Sequence, residues 1–321
     1  MYRAFFHLKR NPFELAPDPY FTFPTPHHHE AFASLYYGIT SRKGFVVLSG
    51  EVGTGKTLVL RCLILQLQKQ NVHFAYVFNP LQTPEEFLRY MMADLDLPGE
   101  YKGKNDLLFS LYASLAKRHN LGQTTVLIVD EAHLLSREVL EEIRLLGNLE
   151  NQGGKLLQVA LVGQPELDSR LDSQELRQLK QRIALRCQLH PLTNDQTGEY
   201  INWRLARAGA DGKAPIFSQE AVAGIFEYSR GYPRLINSIC ENALIFACGK
   251  QMPTVDRTLI MEVCADLRLE PEMDSSHNSP SNEARVGAVA PSMAQQQCGE
   301  VKTKASTLQK GSVLPRTEVR I

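Results

Sequence analysis

The chain has 321 residues, 43% of them hydrophobic, and its 35 basic side chains balance 35 acidic ones. That length holds one large or two modest domains with ample core, and nothing in the composition is fibrous. The even charge supplies no global field for nucleic acid or an anionic membrane, so either partner would need a local patch.

In chain order, the proline- and aromatic-rich stretch 1–26 (…NPFELAPDPYFTFPTP) cannot be a long helix and is expected to run as an extended segment packed on the following core. From His29 to Thr40 the apolar positions Ala31, Phe32, Leu35, Tyr36 and Ile39 fit an amphipathic helix. Apolar, β-rich runs then recur at 45–49, 73–78, 125–129, 157–162 and 183–189 with helical stretches between them, among them 57–69. This alternation predicts a parallel sheet covered by helices on both faces, an αβα layer structure over 27–192. After Pro191 the β signal stops, and helices are expected at 194–208, 218–229, 233–248 and 256–267, a small all-helical domain over 193–268. From 269 to 321 the composition turns to Ser, Pro, Gln, Asn, Lys and Thr without periodicity, the signature of a disordered tail.

Cys62, Cys187, Cys240, Cys248, Cys264 and Cys298 are scattered without a CxxC pair, as free thiols in a reducing compartment would be. The N-terminus MYRAFFHLKRNPFEL lacks the apolar centre of a secretory signal, and no apolar run reaches bilayer length. The expected location is the cytoplasm.

Residues 50–57 read GEVGTGKT directly after the apolar run 45–48, which is a complete Walker A signature between a predicted strand and a predicted helix. Glycines let backbone N–H groups turn inward around phosphate, and the helix that follows brings its positive dipole end to the same place. Gly50, Glu51, Val52, Gly53, Thr54, Gly55, Lys56, Thr57 and the adjoining Leu58 are therefore the expected nucleotide cradle. Lys56 reaches the β/γ oxygens, and Thr57 offers its hydroxyl to Mg²⁺. The run TTVLIVDEAH ends an apolar strand in an acidic pair, a Walker B pattern. It puts Asp130 beside Thr57 to hold Mg²⁺ and Glu131 where it can polarise the attacking water.

Further candidates follow in order. Gln164, at the tip of the strand expected between the two Walker strands, can orient water or sense the γ-phosphate; it can equally be the start of a helix before Pro165. Arg182, with Arg186 second, stands where a helix enters the fifth strand and can reach a neighbouring subunit's γ-phosphate, although a solvated basic face gives the same pattern. In GYPR (231–234), Arg234 begins a helix and is expected to face the cleft between the two domains. His27, His28 and His29 are adjacent, a spacing that does not converge on one metal from a helix, so they are expected to be a surface helix start.

The NPF and PDP of 11–19, the YGI of 37–39, GEVGTGKT, VDEAHLL, LVGQPEL, QRI and GYPRLIN together resemble the AAA+ ATPases of the general secretion pathway protein A family, over roughly residues 1–268. Relatives of that family include the ATPases of exopolysaccharide and exosortase gene clusters and, more distantly, transposition ATPases that load onto DNA. The resemblance implies an αβα ATPase core with a helical lid, ATP and Mg²⁺ as cofactors, and ATP-dependent homo-oligomerisation. It also implies adenine held near the N-terminal segment, at Asn11, Pro12, Phe13 and Gly38. Family members continue past the lid through a membrane helix into a periplasmic domain, whereas this chain continues as a polar tail. The implied protein is a soluble form, peripheral at the inner membrane through a secretion or polysaccharide assembly partner. The alternative implied by the same resemblance is a DNA-associated ATPase of the transposition or initiator type. A DEAH-box helicase is excluded despite Asp130–His133, because no second RecA-like half follows; the LSGGQ signature of an ABC ATPase is also missing.

Overall fold

The computed structural model describes residues 1–70, 72–78, 83–97, 99–212 and 214–271. The expected tail, apart from 269–271, lies outside the described residues.

The chain opens with one helical turn, α1 (Tyr2–Phe5), and a 3₁₀ turn at Pro19–Phe21. α2 (Pro26–Thr40) begins on a proline whose missing N–H costs nothing there, with the Thr25 hydroxyl capping the His28 amide. β1 (Phe45–Gly50) passes through the glycine loop into α3 (Lys56–Leu67). Next come β2 (Val72–Val77), α4 (Pro84–Asp94), α5 (Lys104–Asn120) and β3 (Thr124–Val129). A 3₁₀ turn at Ala132–Leu134 precedes α6 (Arg137–Leu146) and the short hairpin β4 (Glu150–Asn151) and β5 (Gly154–Lys155). β6 (Leu157–Gly163), α7 (Pro165–Leu171), α8 (Arg177–Lys180) and β7 (Ile183–Leu189) complete the first half. The second half is α9 (Asn194–Ala208), α10 (Gln219–Ser229), α11 (Pro233–Gly249) and α12 (Arg257–Asp266).

Five strands form one parallel sheet in the order β2-β3-β6-β1-β7. The side-chain period of two divides β1 between two cores. Phe45 and Val47 join the cluster under α4, α5 and α6, whereas Val46 and Leu48 join the one under α2 and α3. The near-continuous apolar runs of β1, β3 and β6 are thus explained by burial on both faces. The order also brings the ends of β1, β6 and β3 side by side, so the glycine loop, Gln164 and Asp130 leave the sheet at the same edge.

The first 26 residues differ from expectation. Tyr2, Phe6, Leu8, Phe13 and Phe21 are buried in the cluster of α9–α12, so the segment completes the core of the helical half rather than packing chiefly on the sheet. Four short helices bury too little apolar surface by themselves, and these aromatic side chains add large buried areas. Polar ties hold the segment there: Tyr2 Oη donates to Glu241 at 2.8 Å, the Lys9 amide to the Ala208 carbonyl at 2.7 Å, and the Arg207 guanidinium to the Tyr20 carbonyl at 2.8 Å. Only a short stretch touches α3, where Arg61 donates to the Pro17 carbonyl and the Thr22 hydroxyl meets Cys62 Sγ at 3.5 Å. Sheet and helical half belong to one compact unit. Among the described residues no helix is long and apolar enough to cross a membrane.

Candidate nucleotide site

The loop after β1 takes its shape from glycine. Gly53 (φ 84°) and Gly55 (φ 105°) occupy the left-handed region, and a Cβ on Gly55 would stand 2.8 Å from His28 Nε2. The Thr54 hydroxyl donates to the Glu51 carbonyl at 2.8 Å and braces the loop from inside. Lys56, the first residue of α3, is only 6% exposed; its Nζ donates to the carbonyls of Gly50 (2.7 Å) and Glu51 (3.0 Å). Burial holds the ammonium pKa below the usual lysine value, and the nearby Glu131 and Asp130 carboxylates oppose that shift. The N-terminus of α3 has no side-chain cap, so its first amides are free to meet an anion.

His28 corrects the expectation of a plain surface start for the three histidines. His27 and His29 are exposed, but the His28 ring is half-buried against the loop. Its Nε2 lies 3.0 Å from the Thr54 carbonyl oxygen and its Nδ1 2.6 Å from Thr25 Oγ1. A carbonyl only accepts, so Nε2 carries the proton and the Thr25 hydroxyl donates to Nδ1. Burial lowers the pKa of this imidazole, which suits the neutral form.

At the end of β3, Asp130 is 6% exposed. Its Oδ2 accepts from Tyr76 Oη at 3.0 Å and its Oδ1 from the Glu131 amide at 2.9 Å. Burial raises the Asp130 pKa against these two donors, and burial beside Asp130 raises that of the Tyr76 phenol. Glu131 sits in the left-handed region at φ 52°, an uncommon conformation for a residue with a side chain and one that clusters at functional sites. Its Oε2 is buried without a hydrogen-bond partner, 3.4 Å from His133 Nδ1. Gln164 is the residue before α7, makes no side-chain cap bond, and lies with Nε2 3.0 Å from His133 Nε2.

The helical half closes the site from above. The Arg234 amide donates to the Gly53 carbonyl at 3.3 Å, and the Arg234 Cβ is 3.0 Å from where a Cβ on Gly53 would stand. Behind it Gly231 (φ 74°) accepts from the Leu192 amide at 2.8 Å, in a crossing so tight that a Cβ would fall 1.9 Å from the Leu192 carbonyl oxygen. Between the halves is a cavity of about 310 Å³. Val52, Gly53, Gly55, Lys56, Thr57, Leu58 and Glu131 line it from the sheet side; Tyr200, Arg204, Arg234 and Asn237 line it from the helical side.

The N-terminal segment contributes, but three to five residues later than expected. Glu14 to Asp18 line the cavity, whereas Asn11, Pro12, Phe13 and Gly38 do not. Phe13 is fully buried edge-on to Phe217, and the Pro12 carbonyl accepts from Arg204 Nε. Asn11 Nδ2 donates to Glu14 at 2.7 Å. Gly38 is a packing residue of α2, where a Cβ would stand 2.2 Å from Val46 Cγ1. Arg182 and Arg186 are also outside this cavity. Arg182 Nη1 donates to the Arg144 carbonyl at 3.3 Å, and Arg186 bridges Asp168 (3.3 Å) and Asp172 (3.1 Å).

These residues suit a nucleoside triphosphate. A glycine cradle that side chains would fill, an uncapped helix N-terminus, and the cations of Lys56 and Arg234 all face one cavity, as a polyphosphate requires. The Thr57 hydroxyl and the Asp130 carboxylate are hard oxygen donors of the kind Mg²⁺ takes. Tyr76, Tyr200, Arg204 and Asn237 were not singled out in the sequence, and His28 was read there only as part of a surface helix start; each has a partner distant in the chain, so no local pattern marks its role.

The parallel sheet, the glycine loop after β1 and the helical half give the chain a P-loop fold of the AAA+ type, and residues 39–171 match the family described as "AAA domain". Among individual proteins, the chain is similar to General secretion pathway protein A of Aeromonas hydrophila, with 44% identity over 251 residues, covering 78% of this chain and 45% of that protein. It thus spans about half the length of this curated relative. Among solved structures it is similar to Cdc6p of Pyrobaculum aerophilum (TM-score 0.61, 19% identity, 82% of this chain and 70% of that one). It is also similar to the ORC1 protein of Aeropyrum pernix, solved in complex with DNA (TM-score 0.58, 17% identity, 80% and 69%). At such identities what is shared is the fold.

Proposed function

We propose that this protein binds ATP with Mg²⁺ between its sheet and helical halves, hydrolyses it, and works as an oligomeric motor or switch for a secretion or exopolysaccharide assembly system. The observation that carries this reading is the convergence of Lys56, Glu131 and Arg234, from three separate elements, on one cavity. Lys56 and the loop amides hold the phosphates, and Arg234 holds them from the helical side, so that binding draws the two halves together. Thr57 and Asp130 hold Mg²⁺, which when bound supplies charge neutralisation for the phosphates. Glu131 takes the proton of the attacking water. Gln164 orients that water. Arg182, with Arg186 second, completes the site of an adjacent copy. The system served is inferred from the 44% identity to General secretion pathway protein A, and the position proposed is peripheral at the inner membrane with a membrane-associated partner.

The test is Mg²⁺-dependent ATPase activity measured across protein concentrations. Specific activity should rise with concentration, Lys56→Ala should bind ATP far more weakly, and Arg182→Ala should lose the concentration dependence. No activity at any concentration, with Lys56→Ala binding ATP as well as the parent chain, would remove the reading. Tight binding to duplex DNA that weakens steeply with salt would instead move the protein to the DNA-associated class.

A further inference from the structure

We infer that His28 is a positioning residue for the phosphate loop: by holding the Thr54 carbonyl it turns the Thr54–Gly55 peptide so that the Gly55 N–H faces the cavity. The inference rests on the reading given above, that loop amides hold the phosphates of ATP.

In a planar trans peptide the C=O and the N–H point in opposite directions. The Thr54 carbonyl is directed at His28 Nε2, 3.0 Å away, so the Gly55 amide is directed away from the ring. Gly55 lines the cavity and His28 does not. Among the described residues the Gly55 amide has no acceptor, which leaves it for a phosphate oxygen. Thr54 itself cannot set this orientation. It is fully buried, and both its amide (3.3 Å) and its hydroxyl (2.8 Å) donate to the Glu51 carbonyl. Without His28 the buried carbonyl would have to turn toward another donor, and the Gly55 amide would turn with it.

The donor is fixed in its turn. Thr25 is 3% exposed; its hydroxyl donates to His28 Nδ1 at 2.6 Å and accepts from the His28 amide at 3.1 Å. A neutral imidazole whose Nδ1 accepts carries its one proton on Nε2, the tautomer that the Thr54 carbonyl requires. Both ends of the ring therefore demand the same form. Thr25 caps α2, whose Ala31, Leu35 and Ile39 are buried with Val46 and Leu48 of β1. The ring is thus mounted on the same core as the strand that leads into the loop. Its fit also explains the glycine: a Cβ on Gly55, 2.8 Å from Nε2, would push the ring off the carbonyl.

The test compares side chains that keep different parts of the ring, in the full chain and on variants shown by melting temperature to be folded. His28→Gln can bring an amide N–H to the position of Nε2, His28→Asn reaches only that of Nδ1, and His28→Leu keeps bulk without a donor. Equilibrium titration with ATP and Mg²⁺ should show His28→Leu and His28→Asn binding about 3- to 10-fold more weakly, the worth of one hydrogen bond. His28→Gln should stay within about twofold of the parent, and kcat at saturating ATP should move by no more than about twofold in any of them, since the amide binds and does not react. His29→Leu, at an exposed position of the same turn, should change nothing. Equal losses in His28→Gln and His28→Leu, or no loss in His28→Leu, would overturn the proposal. A second readout needs no nucleotide to be bound. Thr-Gly occurs twice in the sequence, at 54–55 and 197–198, so threonine labelled with ¹³C at the carbonyl and ¹⁵N-glycine give two peptide signals in NMR. The loop signal, recognised by its movement when ATP and Mg²⁺ are added to the parent, should be displaced in nucleotide-free His28→Leu and restored in His28→Gln; a signal unmoved in His28→Leu would sink the idea. If Lys56→Ala bound ATP as well as the parent while the nucleotide-free displacement held, the phosphate reading alone would have failed.

Discussion

The two halves of the molecule build their shares of one cavity in opposite ways. On the sheet side, the lining comes from the loop and helix start within 52–58 and from Glu131, placed by parallel strands buried on both faces. On the helical side the share is assembled from parts far apart in the chain. Glu14 to Asp18 are positioned by α9, whose Arg204 holds the Pro12 carbonyl and the Tyr200 hydroxyl (2.7 Å), while Tyr200 donates to Asn237 of α11 at 2.8 Å. Arg204 is buried beside the rings of Phe21 (4.9 Å) and Tyr200 (5.5 Å), so aromatic faces as well as hydrogen bonds stabilise its charge there. A local motif is sufficient where a strand end holds it; a helical bundle needs its core completed before its polar groups point anywhere.

Substitutions can break or sharpen this contrast. The largest effect is expected on the sheet side from Glu131→Gln, which should lower kcat about 10²- to 10⁴-fold and leave ATP affinity nearly unchanged in equilibrium titrations. On the helical side, Phe13→Ala should cost about 3–5 kcal/mol in denaturant unfolding. If 14–18 are held as described, the same change should weaken ATP binding although Phe13 does not line the cavity; unchanged affinity would separate the segment from the site. At the crossing of the halves, Gly231→Ala combines a left-handed backbone with a clash on the Leu192 carbonyl, and should destabilise by about 1–3 kcal/mol. The smallest effect is expected from Lys250→Ala, which removes an exposed ion pair with Glu262 and should change stability by less than about 1 kcal/mol.

The same contrast explains what the sequence reveals. The strands at 45–49, 125–129 and 183–189 and the helices after 193 are legible because apolar periodicity is a local property, and the structure has them within a residue or two. Gln164 between the Walker strands follows from the strand order. The destination of residues 1–26 is not legible, since aromatic content says that a segment is buried but not against what. The shift from Asn11–Phe13 to Glu14–Asp18 has the same origin: Phe13 is the anchor in the core, and the residues after it are the ones left facing the cavity. Tyr76 escapes notice and His28 is read only as a surface histidine, because their partners, Asp130 and Thr54, are brought near only by the fold.

The central claim, that nucleotide is gripped by both halves at once, is tested most directly by hydrogen exchange of backbone amides with and without Mg²⁺ and a slowly hydrolysed ATP analogue. The account predicts added protection in the 50–58 loop together with residues 14–18 and the start of α11 around Arg234. Protection confined to the loop, with 14–18 and α11 exchanging as before, would contradict it.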